Sequence, residues 1–276
     1  MLQRIREQWL HRRIERSRSI CVTFTGGLGA QILSTAIYQH FVERGYQTVA
    51  DLSYFDNAHR IASAGNKGLI SYWKWEMDTY GVGRDSLATH APDGSLQPKL
   101  HDGALKFSLA LQAMASASVR SRFDVKASDQ QSINYRVNEL KGERYLCLHV
   151  RRGDYLNVAS HLVSSSELES MASKFIGLVD RILILSDSPI GVDGFAALRR
   201  NFPGRLHIID SDPDPVLAHS LMRNAAVLVC SNSQFSLTAG LLSEGLVVIP
   251  KVWFGQNAAE LNAVVNRLSD FAVLRK

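Results

Sequence analysis

The stretch YLCLHVRRGDY, residues 145–155, passes directly from an apolar run to a cluster of charged side chains. The run YLCLHV predicts a buried β-strand, which ends where Arg151, Arg152 and Gly153 begin. Ligands in α/β proteins are bound outside the carboxyl ends of such strands. Two adjacent guanidinium groups there would suit an anion, and a phosphate matches their bidentate geometry. A solvated turn is the alternative, whereas an adhesive Arg-Gly-Asp loop is excluded because the tripeptide continues from a core strand.

Similar apolar runs recur through the C-terminal half. The predicted strands are RILILS (181–186), LHIID (206–210), VLVCS (227–231) and LVVIP (246–250). The helical segments between them lie at about 164–177, 193–201, 215–225 and 234–244. Continuous apolar strands that alternate with helices are typical of a parallel sheet covered on both faces.

The N-terminal half begins with a related unit. ICVTF (20–24) predicts a strand, TGGLGAQ a glycine turn, and the residues from Ala30 to about Arg44 a helix that Gly45 ends. YQTVADL then resumes as a strand. The sequence therefore predicts an α/β protein with two Rossmann-like halves, parallel sheets and a cleft between the halves.

The expected division of the 276 residues has three parts. A basic helix occupies 1–19, an N-terminal half occupies 20–140, and a C-terminal half occupies 141–276. No repeat or low-complexity linker marks the boundary between the halves. Residues 53–103 are poorly patterned and suggest irregular structure.

Composition narrows the class of protein. A hydrophobic content of 46% and a charged content of 21% are ordinary for a soluble globular enzyme. No stretch reaches the roughly 18 apolar residues of a membrane span. Cys21, Cys147 and Cys230 each sit in an apolar run, which predicts free buried thiols in a reducing compartment. The arginine-rich N-terminus lacks the apolar core of a signal peptide, so we expect a cytoplasmic protein.

Residues 1–19 carry most of the net charge of +5, because they contain six arginines and only two glutamates. The favoured interpretation is a terminal helix that packs on the fold with its arginines in water. The alternative is a helix that lies on the anionic inner face of a membrane or binds an acidic partner. The remaining chain is almost neutral and shows no basic and aromatic pattern that would indicate nucleic-acid binding.

Two polar clusters join a strand end to a helix start. GGLGAQ (26–31) would let a ligand approach the backbone at a helix N-terminus, although a tight structural turn explains it equally. CSNSQFSLTAG (230–240) contains more hydroxyl and amide groups than one helix cap needs. This second cluster would suit hydrogen bonds to a diphosphate or a ribose.

The acidic loop IIDSDPDP (208–215) contains two overlapping DxD patterns, which some glycosyltransferases use to hold a divalent cation. Asp214 before Pro215 is also a good helix cap, and this reading is favoured. We therefore predict no metal site. The stretch SDS (186–188) ends another strand and is predicted to cap the next helix.

Five motifs resemble those of family 11 glycosyltransferases in their residue types and in their order along the chain: GGLGAQ, HVRRGDY, ILSDS, SNSQFS and VIPKVWF. These are α-1,2-fucosyltransferases, distantly related to α-1,6- and protein O-fucosyltransferases. The resemblance spans most of residues 20–255 and is most specific at HVRRGDY. It implies a compact GT-B fold whose C-terminal half holds the sugar nucleotide. It also implies inverting transfer of L-fucose from GDP-fucose to a glycan hydroxyl, with no cofactor and no catalytic metal.

The resemblance also implies roles for individual residues. Arg151 would bind the β-phosphate and stabilise it as it leaves. His149 and Asp154 would line the same pocket, with Arg152 in support. Apart from the resemblance, the chemistry requires a base that accepts the proton of the acceptor hydroxyl, and Asp154 is the candidate for this role. The other residues expected to bind the substrate are Ser231, Asn232, Ser233 and Ser236 of the C-terminal half, and Gly26, Gly27, Gly29 and Gln31 of the N-terminal half.

Several positions depart from the family pattern. Ala30 replaces the asparagine of GGLGNQ, and Leu237 and Thr238 replace tryptophans after the serine motif. Related fucosyltransferases have an aspartate that pairs with guanine where this chain has Ala218. Either a neighbour such as Asp214 replaces it, or the donor base is not guanine. The rival functions are a catalytically silent nucleotide-binding relative, a transferase for another sugar nucleotide and a metal-dependent phosphohydrolase.

Overall fold

The computed structural model describes residues 2–56, 74–125, 143–157, 161–210, 214–250 and 273–275. The chain divides into two compact units, Met1–Lys126 (unit 1) and Ala127–Lys276 (unit 2). Each unit contains a parallel β-sheet with helices, which confirms the predicted α/β class. A cleft between the units stays a prediction.

Unit 1 is built on a three-stranded parallel sheet with the order β2-β1-β3. The strands are β1 (Ser19–Thr23), β2 (Gln47–Asp51) and β3 (Lys99–Leu100). The first two match the apolar runs ICVTF and YQTVADL to within two residues at each end. The two-residue β3 was not predicted, because its polar surroundings show no strand pattern.

The described residues of unit 1 form five α-helices: α1 (Leu2–Ser17), α2 (Leu28–Glu43), α3 (Ser53–Asp56), α4 (Ala104–Met114) and α5 (Ala117–Arg120). Eleven residues of α2 are buried, so this helix is central to the unit rather than a surface element. Gly45 ends it as predicted. At a φ of +71° its N–H donates to the carbonyl of Val42, and the Tyr46 N–H donates to that of Phe41.

The basic helix α1 packs on unit 1. Ile14 is only 1% exposed, and the Tyr46 hydroxyl donates to Glu15 Oε2 at 2.7 Å. The three arginines of this helix whose side chains are described, Arg12, Arg13 and Arg16, are all exposed to water. The favoured interpretation of residues 1–19 therefore agrees with the structure, and contact with a membrane stays a prediction. Among the described residues, no helix has the length and apolar character of a membrane span.

Unit 2 contains a six-stranded parallel sheet with the order β6-β5-β4-β7-β8-β9. Counted from β4, this is the Rossmann order 3-2-1-4-5-6, in which the chain reverses direction across the sheet between β4 and β7. The strands are β4 (Tyr145–Val150), β5 (Arg181–Ser186), β6 (Leu206–Ile209), β7 (Val227–Val229), β8 (Leu246–Ile249) and β9 (Val273–Arg275). Every residue of β4 is buried, as the unbroken apolar run predicted.

The helices in the described part of unit 2 connect successive strands, and three of the four begin with a side-chain cap, whereas the helix that starts at Ala196 has none. They are α6 (Ser165–Ser173), α7 (Ala196–Asn201), α8 (Pro215–Arg223) and α9 (Gln234–Leu242). Asp214 Oδ1 accepts the Val216 and Leu217 N–H groups at 3.0 Å, so the capping reading of Asp214 is confirmed. One face of β4, formed by Leu146, Leu148 and Val150, joins the main apolar core of the unit.

Candidate functional site

The polar residues that follow β4, β5 and β7 meet at one edge of the unit 2 sheet. Because the strands are parallel neighbours, their carboxyl ends lie side by side. The register pairs Val150 with Ser186, so Arg151 and Asp187 leave the sheet together. Leu148 pairs with Val229, which brings the segment after β7 next to the end of β4. This edge spans the point where the strand order reverses.

The Arg151 guanidinium is held between a carboxylate and an aromatic ring. Its Nη1 lies 2.6 Å from Asp187 Oδ2 in an ion pair whose side chains are 12% and 11% exposed. Arg151 Cζ also lies 5.1 Å from the centre of the Tyr155 ring. A cation this enclosed and this fixed is suited to bind an anion in one orientation.

Asp187 also fixes the turn that carries the two arginines. Its Oδ1 accepts the Arg152 backbone N–H at 2.8 Å and lies 3.3 Å from Ser188 Oγ. Gly153, at a φ of +29°, passes so close that an added Cβ would lie 2.8 Å from Asp187 Oδ2. The turn therefore requires a glycine at this position. Sequence reasoning assigned residues 186–188 to helix capping and missed the contact of Asp187 with Arg151.

Arg152 turns away from its neighbour and into the unit. Its guanidinium donates to the Val163 carbonyl at 2.9 Å and to Ser165 Oγ at 2.9 Å. Burial lowers the pKa of Arg152, and the charge of Asp187 partly offsets this. These contacts fix the start of α6, so Arg152 supports the site from within. A direct contact with substrate stays a prediction.

His149 and Ser231 connect β4 to the loop after β7. His149 Nδ1 lies 2.7 Å from Ser231 Oγ, and both residues are buried. Burial, then the charge of Arg151 and then His219 lower the pKa of His149 to about 3. The imidazole is therefore neutral near pH 7, so it adds hydrogen-bonding capacity to the site and no charge.

The serine motif forms the N-terminus of α9. Ser233 Oγ accepts the Phe235 N–H at 3.2 Å as the helix cap. Ser236 Oγ lies 3.4 Å from the Ser231 carbonyl and 3.3 Å from the Ser233 carbonyl, and Asn232 is buried beside them. The motif thus shapes a tight loop whose following helix directs its N–H groups toward the sheet edge.

A second buried histidine lies beneath this loop and was missed by sequence reasoning. His219 Nε2 lies 3.2 Å from Thr238 Oγ1, and burial and the charge of Arg223 lower its pKa to about 3. The rings of His149 and His219 lie 5.7 Å and 5.5 Å from the Phe235 ring. The α8 and α9 helices therefore share a polar layer under the site. A histidine in the middle of a predicted helix gave little indication of this contact.

In unit 1, the GGLGAQ motif forms the turn between β1 and α2. Gly26 has a φ of +70°, which favours glycine, and an added Cβ would lie 3.2 Å from Ala30 Cβ. Gly27 precedes α2 as its cap residue, and Gly29 lies buried in the first turn. The helix begins at Leu28, two residues before the predicted start at Ala30.

Gln31 is fully buried and uses its amide inside unit 1. Its Nε2 donates to the Gly26 carbonyl at 3.0 Å and to the Lys74 carbonyl at 2.9 Å. Its Oε1 accepts the Glu76 N–H at 2.9 Å. The side chain therefore clamps the segment 74–76 to the glycine turn, and substrate binding by Gln31 stays a prediction.

A cation and a carboxylate that sequence reasoning missed lie at the same edge of the unit 1 sheet. Lys106 Nζ donates to the Thr23 carbonyl at 2.6 Å and to Asp102 Oδ1 at 2.7 Å. Thr25 Oγ1 donates to Asp102 Oδ2 at 2.8 Å. The Lys106 side chain is 7% exposed and that of Asp102 is 63% exposed. Asp102 precedes α4 and Lys106 lies in its first turn, so the spacing of four residues across the helix start was the available signal.

Three further predictions concern residues of unit 2. The side chain of Asp154, the candidate base, lies outside the described residues. Of the acidic loop, Asp210 Oδ2 accepts the Ile190 N–H at 2.7 Å, and residues 211–213 lie outside the described part. Over the described ranges, no three His, Cys, Asp or Glu side chains are grouped as metal ligands would be. Ala218 is buried in α8.

Comparison with known proteins yields weak structural likenesses only. No protein-family model and no curated protein matches this chain. A NodZ α-1,6-fucosyltransferase soaked with GDP-fucose is 12% identical over 83% of this chain and 93% of its own, with a TM-score of 0.43. E. coli ADP-heptose LPS heptosyltransferase II is 10% identical over 92% of this chain and 98% of its own, with a TM-score of 0.46. POFUT1 in complex with GDP-fucose is 10% identical over 82% and 95%, with a TM-score of 0.45. Likenesses of this size transfer neither an activity nor a ligand, and the α/β assignment rests on the chain's own sheets.

Proposed function

We propose that this protein is a glycosyltransferase that binds the diphosphate of a sugar nucleotide at the carboxyl ends of β4 and β7. The observation that carries the proposal is the fixed Arg151 guanidinium at the point where the strand order of a Rossmann sheet reverses. Ser231–Ser233 and the α9 N-terminus lie at the same edge. Nucleotide phosphates are stabilised by this combination of a guanidinium with helix-terminal N–H groups.

The charges of the site favour departure of a diphosphate. As the bond from the sugar to the diphosphate breaks, negative charge grows on the phosphate oxygen, and a cation held in advance lowers the barrier. Arg151 would supply this charge, and its ion pair and ring contact limit the reorganisation required. His149 is neutral near pH 7 and would donate or accept a hydrogen bond. These features support transfer chemistry that needs no metal ion.

The finer assignment is transfer of L-fucose from GDP-fucose to a glycan hydroxyl with inversion at the anomeric carbon. It rests on the motifs HVRRGDY and SNSQFS and on their order in the chain. Asp154 is proposed as the base that accepts the hydroxyl proton. The guanine partner is open, because Ala218 has no polar group and Asp214 Oδ1 is engaged as the cap of α8.

A screen of donors and acceptors tests the proposal. The purified protein would be incubated with GDP-fucose, GDP-mannose, UDP-glucose or ADP-heptose, with and without a mixture of soluble glycans, and nucleoside diphosphate release would be measured. We expect release from GDP-fucose that depends on acceptor and persists in EDTA, and an inverted product anomer by NMR. Binding without release would favour the silent relative. Release of nucleoside monophosphate and sugar phosphate in the same reactions, independent of acceptor and lost in EDTA, would favour the phosphohydrolase.

A further inference from the structure

We infer that Asp187 is a positioning residue that fixes the orientation in which Arg151 presents its guanidinium to an anion. The starting observation is the 2.6 Å ion pair between Asp187 Oδ2 and Arg151 Nη1, in which both side chains are nearly buried. The inference deepens the proposed function and rests on it only for the identity of the anion. Asp187 would act through Arg151 and would not itself touch the substrate.

The contacts of Asp187 show why it can act as a fixed point. Its Oδ1 accepts the Arg152 N–H at 2.8 Å, so the carboxylate is tied to the backbone of the turn that carries Arg151. Ser188 Oγ lies 3.3 Å from the same oxygen, and it also accepts the Gly153 N–H at 3.1 Å. A carboxylate held by the turn on one side can hold the guanidinium on the other.

The Asp187 carboxylate also lies close to the backbone of Gly153. A Cβ on Gly153 would lie within 2.8 Å of Asp187 Oδ2, so the carboxylate packs directly against the turn backbone. The contact of the guanidinium with the Tyr155 ring, 5.1 Å from Arg151 Cζ to the ring centre, adds a second restraint on Arg151. A long flexible side chain loses less conformational entropy on binding when it is oriented in advance.

The matched substitution is Asp187→Asn, which keeps the shape of the side chain and the acceptor for the Arg152 N–H but removes the charge. The control is Asp210→Asn. Asp210 also follows a strand of this sheet, and its carboxylate accepts the backbone N–H of Ile190 at 2.7 Å. Thermal unfolding of each variant would establish that the fold is retained. If Asp187→Asn does not fold, Ser188→Ala removes the hydroxyl that contacts Asp187 Oδ1 and should show the same effects, only smaller.

The first readout needs no ligand. Side-chain NMR of the arginine Nε–Hε groups, with Arg151 assigned from the Arg151→Lys variant, reports how freely the guanidinium rotates. We expect a restrained Arg151 signal in the wild type and in Asp210→Asn, and an averaged or exchange-broadened signal in Asp187→Asn. A restrained signal in Asp187→Asn would overturn the inference.

The second readout is a double-mutant cycle on the affinity for GDP and for inorganic pyrophosphate, measured by calorimetry. Asp187→Asn should weaken binding by about tenfold, but by less than about twofold when Arg151 is already alanine. Equal weakening in both backgrounds would mean a purely structural role, and tighter binding in Asp187→Asn would mean that Asp187 competes with the anion. Either result contradicts the inference.

If no nucleoside diphosphate binds but Arg151 is restrained only when Asp187 is present, the proposed function fails and the positioning role stands.

Discussion

Gln31 of unit 1 and Arg151 of unit 2 are polar residues of two motifs that each follow the first strand of their unit, yet their environments differ. Gln31 is fully buried and its amide makes three hydrogen bonds to the backbone. Arg151 retains 12% of its side-chain exposure and is held by an ion pair and a ring. A neutral amide can be satisfied completely by peptide groups, whereas a guanidinium carries charge that can also attract an incoming anion. Motif membership alone therefore does not separate a fold-supporting residue from a ligand-binding one.

The ion pairs at the two sheet edges differ in how far their charged groups are exposed to water. In unit 1 the cation Lys106 is buried, and its partner Asp102 is 63% exposed. In unit 2 both Arg151 and Asp187 are close to buried. The unit 1 pair thus presents a carboxylate to water, while the unit 2 pair keeps its charges in a low-dielectric setting, where electrostatic interactions are stronger. This contrast makes unit 2 the better candidate for binding a phosphate.

The largest effect is expected from Arg151→Ala, which should lower transfer by about 10²–10³-fold because, on the proposed function, it removes the charge that would stabilise the leaving diphosphate. Arg151→Lys should recover little, since an ammonium cannot reproduce the planar fork. Steady-state turnover of GDP-fucose would measure both. The matched control is Arg181→Ala, at the opposite end of the sheet, where Arg181 pairs with Glu143. Turnover that falls equally in this control would show that the loss is not specific to the site.

Gln31→Leu should lower the free energy of unfolding by about 2–4 kcal/mol, because it leaves buried backbone groups without their partners. It should leave the affinity for nucleotide unchanged if the amide serves only the fold. Urea denaturation and calorimetry on the same preparation would test both parts. Gln97→Leu is the control, since the Gln97 amide also forms hydrogen bonds but is only half buried. A variant of normal stability that no longer binds nucleotide would reverse the comparison.

The buried histidines of unit 2 should make its stability depend on pH. The unfolded chain protonates them near their ordinary pKa of 6.5, whereas in the folded protein both pKa values are about 3. The stability linked to the neutral rings is therefore fully present above pH 6.5 and is lost as the pH falls. We expect a loss of about 2 kcal/mol per histidine between pH 6.5 and pH 5.

Urea denaturation across this pH range would measure the effect. His149→Asn should reduce the pH dependence, and the exposed His11→Asn should not. An unchanged pH dependence in His149→Asn would contradict the burial argument for His149.

The smallest effect concerns the donor base. Ala218→Asp should tighten binding of GDP relative to ADP and UDP by about tenfold, because it supplies the carboxylate that guanine donors need. Because Ala218 is buried, thermal unfolding would first establish that the variant keeps its fold, and calorimetry with the three nucleotides on both proteins would then measure the ratio. If the wild type already binds GDP much more tightly than ADP and UDP, and Ala218→Asp lowers this preference, another residue recognises the base.

The sheets were predictable because a buried strand requires a continuous run of apolar residues in the sequence. The runs at 145–150 and 181–186 coincide with β4 and β5, since a central parallel strand is apolar on both faces. The helix expected over 164–177 ends at Ser173, because residues Ile176–Leu178 form a separate 3₁₀ turn. The short β3 depends on pairing with β1 and not on its own pattern.

The position of the candidate site follows from the sequence pattern, but the set of residues that meet there does not. The end of an apolar strand located Arg151 and its neighbours, since strand ends follow from the pattern alone. Its partner Asp187 lies far along the chain, and only the register of β4 against β5 brings the two together. The hydrogen bonds of Gln31 to residues 74 and 76 lie equally beyond local pattern.

Amide hydrogen exchange with and without GDP tests the central claim most directly, since one experiment observes both sheet edges. We predict that GDP slows exchange most strongly in peptides covering 149–155 and 230–237, and that Arg151→Ala abolishes this protection at the same nucleotide concentration. Protection that appears only in the peptide covering 26–31, with the unit 2 peptides unchanged, would contradict the assignment of the phosphate site to β4 and β7.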